Sequence, residues 1–107
     1  MTPLEGSVFV AVAAAHFALG LAALISRRHL IKIVIGLELL GNGVSLLFIL
    51  GGYRAGDVAL SQAVVFTIIA IEAVVAGVAL ALVVLLARSG VAIDSLAVAR
   101  LARGGDR

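Results

Sequence analysis

Residues 32–50 read KIVIGLELLGNGVSLLFIL, and between Ile33 and Tyr53 the one charged side chain is Glu38. An apolar run of this length suits an α-helix crossing the roughly 30 Å hydrocarbon core of a bilayer, which takes about 20 residues. A carboxylate in the middle of such a helix costs about 2.5–3.5 kcal/mol on insertion scales. The same anomaly recurs downstream in AVVFTIIAIEAVVAGVALAL, residues 63–82, which carries Glu72. The reading of these two acids decides both the fold and the function.

Composition supports the membrane reading. Of 107 residues, 64% are hydrophobic and 13% charged, more apolar surface than a small soluble domain can bury. There is no cysteine, which excludes disulfides, thiolate metal sites and cysteine-ligated iron–sulfur clusters in this chain. The net charge of +2 comes from basic residues clustered at segment ends, a pattern that orients membrane helices and gives no reason to expect nucleic acid as a partner.

Working outward from Glu38, the charges divide the chain into three apolar runs, and the predicted architecture is an all-α membrane protein with three transmembrane helices. The spans are expected near residues 6–26, 30–50 and 58–87, followed by a tail over 88–107, all in one membrane unit. At 1.5 Å per residue the third run is about 45 Å long, so it must tilt, break or protrude. The first run is read as a span and not as a secretory signal, because it is preceded by Glu5 and followed by arginines. Arg27, Arg28 and Lys32 in the first loop, and Arg88, Arg100, Arg103 and Arg107 in the tail, outweigh Arg54 in the second loop. The positive-inside rule then predicts a cytoplasmic first loop and C-terminus, with the N-terminus outside. The tail is partly amphipathic, as expected of a segment lying along the membrane surface or a neighbouring subunit.

Glu38 lies about 12 Å of helix beyond Leu30, and Glu72 is central in its span, so both sit near the bilayer midplane. Asn42 and Ser45 follow Glu38 by four and seven residues and share its face, making a polar stripe. Ser61 precedes Glu72 by eleven residues, close to three turns, and falls on a similar face. Acids so placed are by default parts of a proton or ion path; the plainer reading is that each hydrogen-bonds a neighbouring helix. With no basic residue buried beside them in the sequence, a charge partner is expected from other subunits.

Weaker signals surround this pair. His16 lies mid-way along the first span and its imidazole suits proton transfer, although a neutral packing histidine is the plainer reading. Ala11, Ala15, Ala18 and Ala22, and likewise Ala73, Gly77 and Ala81, recur at helical spacing and permit close helix contact. GGYRAGD, residues 51–57, reads as a tight turn. No catalytic triad, metal-ligand spacing or nucleotide fingerprint is present, so redox chemistry is not expected of this chain alone.

The stretch ISRRHLIKIVIGLELLGNGVSLLF resembles subunit K of proton-pumping NADH–quinone oxidoreductase, bacterial complex I. MTPLEG at the start, the paired arginines, IGLE, AIEAVVAGVALAL and AIDSL in the tail follow that family's order over nearly the whole chain. The resemblance implies a three-helix subunit in the membrane arm, in a plasma (inner) membrane, beside antiporter-like subunits. It implies that Glu38 and Glu72 belong to the central hydrophilic axis for protons, and that Arg27 and Arg28 support the cytoplasmic loop. Quinone, NADH, FMN and iron–sulfur clusters are then expected in partner subunits, with no cofactor bound here. GDVALSQAVVFT departs from the DGQ that the family often has before the third span. Its Asp57, Gln62 and Thr67 spacing is similar to the C-type component of Mrp-type multisubunit Na+/H+ antiporters, and to related components of membrane-bound hydrogenases and archaeal deazaflavin-cofactor dehydrogenases. An antiporter component without electron transfer, and a purely structural membrane protein, are the competing readings.

Overall fold

A computed structural model describes residues 2–26, 29–90 and 94–104. They form four helices, α1 (Pro3–Ser26), α2 (Leu30–Ala55), α3 (Val58–Arg88) and the short α4 (Ser95–Ala102). The first three are long and apolar enough to cross a membrane. Arg27 and Arg28, expected to support the first loop, lie outside the described residues.

Local chemistry sets the helix ends. Thr2 and Glu5 form a reciprocal cap: the Glu5 carboxylate accepts from the Thr2 amide at 2.7 Å, and the Thr2 hydroxyl accepts from the Glu5 amide at 3.2 Å. Pro3 between them supplies a pre-set φ where no amide hydrogen is needed. The opening TPLE is therefore a helix-starting device, which assigns Glu5 a structural role. At the other end of α2, Gly56 takes a left-handed conformation with φ 79°, which glycine adopts without steric cost. Asp57 then caps α3, its Oδ1 accepting from the Leu60 amide at 3.1 Å. Two residues thus reverse the chain between α2 and α3.

α1 and α3 both pack on α2 and make no substantial contact with each other. The α1–α2 seam is built from the smallest residues. Gly6, Ala13 and Gly20 are buried on α1, and Gly36, Gly43 and Leu50 on α2, each set repeating every seven residues. A methyl group on Gly20 would stand 2.8 Å from the Gly36 carbonyl oxygen, and one on Gly36 would stand 2.9 Å from that of Gly20. The two backbones therefore touch, with Gly20 opposite Gly36 and Ala13 opposite Gly43. A seven-residue repeat over about 3.6 residues per turn is the pattern of a slight left-handed crossing. Lipid offers apolar side chains no reason to leave it, so bare backbone that allows van der Waals contact drives the association. The alanine stripe Ala11–Ala15–Ala18–Ala22 does not serve here; all four residues are exposed on the far side of α1. Ala73, Gly77 and Ala81 are likewise exposed, and nothing lies within 4 Å of a methyl placed on Gly77.

On α2 the residues facing α3 fall about 150–210° around the helix from the α1 seam, at 100° per residue. The three spans therefore stand side by side with α2 in the middle. α3 is unbroken over 31 residues, about 46 Å. By the register with α2, Val83 stands level with Leu30, so the last turn of α3 protrudes beyond the start of α2. α4 begins at Asp94, whose Oδ1 accepts from the Leu96 amide at 2.7 Å, and Asp94 forms an isolated antiparallel bridge with His29.

The seam predicts the sign of a substitution. Alanine normally gains about 1 kcal/mol over glycine in a helix, but both helices stay helical when they separate in a membrane, so that gain cancels. Gly36→Val should therefore only introduce overlap, weakening α1–α2 packing by about 1–3 kcal/mol. Spin labels at Leu4 and Arg54, in detergent, should report a longer α1–α2 distance for this variant. Gly51→Val, where a methyl meets nothing within 4 Å, should leave the distance unchanged.

Candidate functional site: two carboxylates across the α2–α3 contact

Glu38 and Glu72 are both half-buried. α3 presents Glu72 directly to α2, where its carboxyl group lies over Gly41; any side chain at that position would collide with the Glu72 Oε1. Eleven residues away on both helices the contact repeats, with Ser61 seated over Gly52. Eleven residues return a helix to nearly the same face, so two glycines on α2 accept two polar residues of α3 in one antiparallel register. Gly41 is three residues beyond Glu38, about 4.5 Å along the axis. The Glu72 carboxyl group therefore meets α2 about one turn from Glu38. Neither acid has a hydrogen-bond or ion-pair partner among the described residues.

The remaining expected site residues divide. Ser45 is 7% exposed, and its hydroxyl has no hydrogen-bond partner. It lies one turn beyond Gly41, on the side of α2 that faces α3, so an unsatisfied hydroxyl adjoins the acid pair. Asn42 is exposed at the edge of the same stripe. Ser61 is 6% exposed and donates to the Val58 carbonyl at 2.9 Å; it shares the face of Glu72 but lies about 16 Å away along α3. His16 stands on α1, beyond the α1–α2 seam, with Nδ1 2.8 Å from the Val12 carbonyl oxygen. It is level with Leu40 in the α1–α2 register, hence at the depth of the acid pair, but α2 lies between it and Glu72.

Gly41 is the residue that sequence reasoning missed. Its role depends on which residue of α3 lies opposite, and LELLGNG carries no local sign of that. The Asp57, Gln62 and Thr67 spacing resolves into unrelated parts. Asp57 caps α3, Gln62 is exposed, and the Thr67 hydroxyl donates to the Ala63 carbonyl at 3.0 Å.

Chemically, two carboxyl groups belong to facing helices near mid-span, about one turn of α2 apart. Such a pair can receive, hold and pass a proton.

Residues 8–102 match the family model for NADH-ubiquinone/plastoquinone oxidoreductase chain 4L. Over 83 residues the chain is 35% identical to NADH-quinone oxidoreductase subunit K of Anaeromyxobacter sp. (strain K), spanning 78% of this chain and 83% of the relative. The subunit K of Anaeromyxobacter dehalogenans strain 2CP-C is 36% identical over 78 residues, 73% of this chain and 78% of that one. Three spanning helices and a match running from the first helix through α4 lead to one assignment: this chain belongs to the NADH-ubiquinone/plastoquinone oxidoreductase chain 4L family, the subunit K family of NADH-quinone oxidoreductase.

Proposed function

We propose that this chain handles protons in the membrane arm of an NADH-quinone oxidoreductase, with Glu38 and Glu72 as the groups that gain and lose them. The observation that carries the reading is the seating of the Glu72 carboxyl over Gly41, one turn of α2 from Glu38 and near mid-span, with no cation paired to either acid among the described residues. Two acids at that depth are costly enough to need a use. The unpartnered Ser45 hydroxyl supports it, because it offers a water or a proton a polar neighbour one turn from Gly41. Gly41 acts through geometry by letting the Glu72 carboxyl reach α2.

In this reading NADH, FMN, iron–sulfur clusters and quinone belong to partner subunits, and this chain performs no electron transfer. Its neighbours include antiporter-like subunits of the arm in a plasma (inner) membrane. The N-terminus and the Gly56–Asp57 turn face outward, and α4 lies on the cytoplasmic side, as the positive-inside rule requires.

Three measurements test this reading. Glu38→Gln keeps size and hydrogen bonding but removes the titratable group. The complex should assemble, and proton pumping coupled to quinone reduction should fall about a hundredfold, as expected on losing a positioned proton carrier. Glu72→Gln should be milder, since Asn42 and Ser45 accompany Glu38. Wild-type pumping by an assembled Glu38→Gln complex would make Glu38 a packing residue.

Gly41→Ala should reproduce the Glu72→Gln phenotype, by displacing the carboxyl without altering any titratable group. Gly51→Ala is the matched control and should pump normally. For orientation, single cysteines replacing Glu5 or Arg54 in this cysteine-free chain should react with an impermeant thiol reagent added outside intact cells. A cysteine at Arg103 should not, and the reverse pattern would invert the topology.

A further inference from the structure

The side-by-side arrangement gives the molecule two broad faces, and they differ at mid-depth. With α1 and α3 on opposite sides of α2, 100° per residue places His16 and Asn42 toward one broad face, with Glu38 at the border between that face and α3. Leu37, Val44 and Leu47 fall on the other broad face. The first three lie within four residues of one another in the α1–α2 register, about 6 Å of depth. The outer edges carry nothing comparable at that level: α1 offers Ala15 and Ala18 there, and α3 offers Ala73 and Gly77. One face thus gathers His16 and Asn42 at mid-membrane, with Glu38 at its border.

His16 sharpens what that face requires. A backbone carbonyl only accepts, so the 2.8 Å contact with Val12 places the proton on Nδ1. In the neutral ring Nε2 is then a hydrogen-bond acceptor, and it has no partner among the described residues. Nor has the Glu38 carboxylate. His16 therefore places an unmet acceptor on this face beside the polar groups of Asn42 and Glu38, and hydrocarbon cannot satisfy it.

We infer that this polar face is covered by a transmembrane helix of another subunit that presents an N–H or O–H donor at the level of His16, with the Nε2 of His16 as acceptor. His16 is then a positioning residue for assembly, an assignment separate from the proton-handling reading and tested without measuring pumping. A helix is preferred to lipid because of the unmet acceptor. It is preferred to a water file because Leu39 and Leu46, which flank this side of the α1–α2 seam, make the approach to His16 apolar.

The test uses the intact complex in native membranes. A diazirine-bearing amino acid at position 16 should, on illumination, join this chain to another protein subunit. Adducts with lipid alone would overturn the inference. So would rapid reaction of a His16→Cys complex with a small aqueous thiol reagent, which would reveal water in place of a helix. Two further variants separate hydrogen bonding from bulk. His16→Gln retains an acceptor near the position of Nε2, and the complex should resist detergent dissociation as the wild type does. His16→Phe fills the space without an acceptor and should raise the dissociated fraction about fivefold, the factor that one lost hydrogen bond carries. Equal resistance of the Phe and Gln variants would remove the hydrogen bond from the account.

Discussion

The Glu72 carboxyl group rests over a stretch of α2 that has no side chain, and much of the molecule is arranged to permit that contact. α3 brings the acid to α2 only in the register that also seats Ser61 over Gly52. α2 must be bare at Gly41 on one side and bare at Gly36 and Gly43 on the other, because α1 approaches there just as closely. A helix serving two such neighbours gives up side-chain volume on both flanks. In water, glycine-rich helices of this kind would be poor structures, each glycine costing about 1 kcal/mol against alanine. In hydrocarbon the alternative to a helix is unsatisfied backbone, so the same glycines are tolerated and become contact surfaces.

That exchange explains what could and could not be read in the sequence. The three spans were legible because charges interrupt apolar runs, and the helix ends carry recognisable chemistry in TPLE and GD. The two glutamates stood out because each is alone in such a run. The faces were harder to read. In a soluble helix, apolar residues mark the buried side; here every side is apolar, and the buried side of α1 is marked by Gly6, Ala13 and Gly20. The chain contains a second, equally regular set of small residues in Ala11, Ala15, Ala18 and Ala22, and nothing local distinguishes the two. Only the glycines of α2, which demand bare backbone opposite, decide between them.

The setting of Glu72 against Gly41, one turn from Glu38, shows the same limit in the site. Each acid could be placed near mid-span from its distance to the flanking charges. Their apposition depends on the Gly56–Asp57 turn being two residues long and on Gly41 lying opposite Glu72, which are properties of two helices together. Ser61 shares the face of Glu72 as the spacing implied, yet its hydroxyl is engaged within its own helix. Ser45, spaced no more suggestively, is the serine hydroxyl left unsatisfied beside the acids. Helical periodicity assigns direction, whereas hydrogen bonding decides which polar groups remain unpartnered.

The bridge between His29 and Asp94 joins the residue before α2 to the residue before α4, at the end of the α2–α3 hairpin opposite its turn. The hairpin is thus clasped where it would otherwise be open, and the segment holding both glutamates is a closed loop of chain. Such a loop resists splaying like a pair of tongs. The spacing of the carboxyl groups then depends on the register along the hairpin, which Glu72 over Gly41 and Ser61 over Gly52 hold at two points.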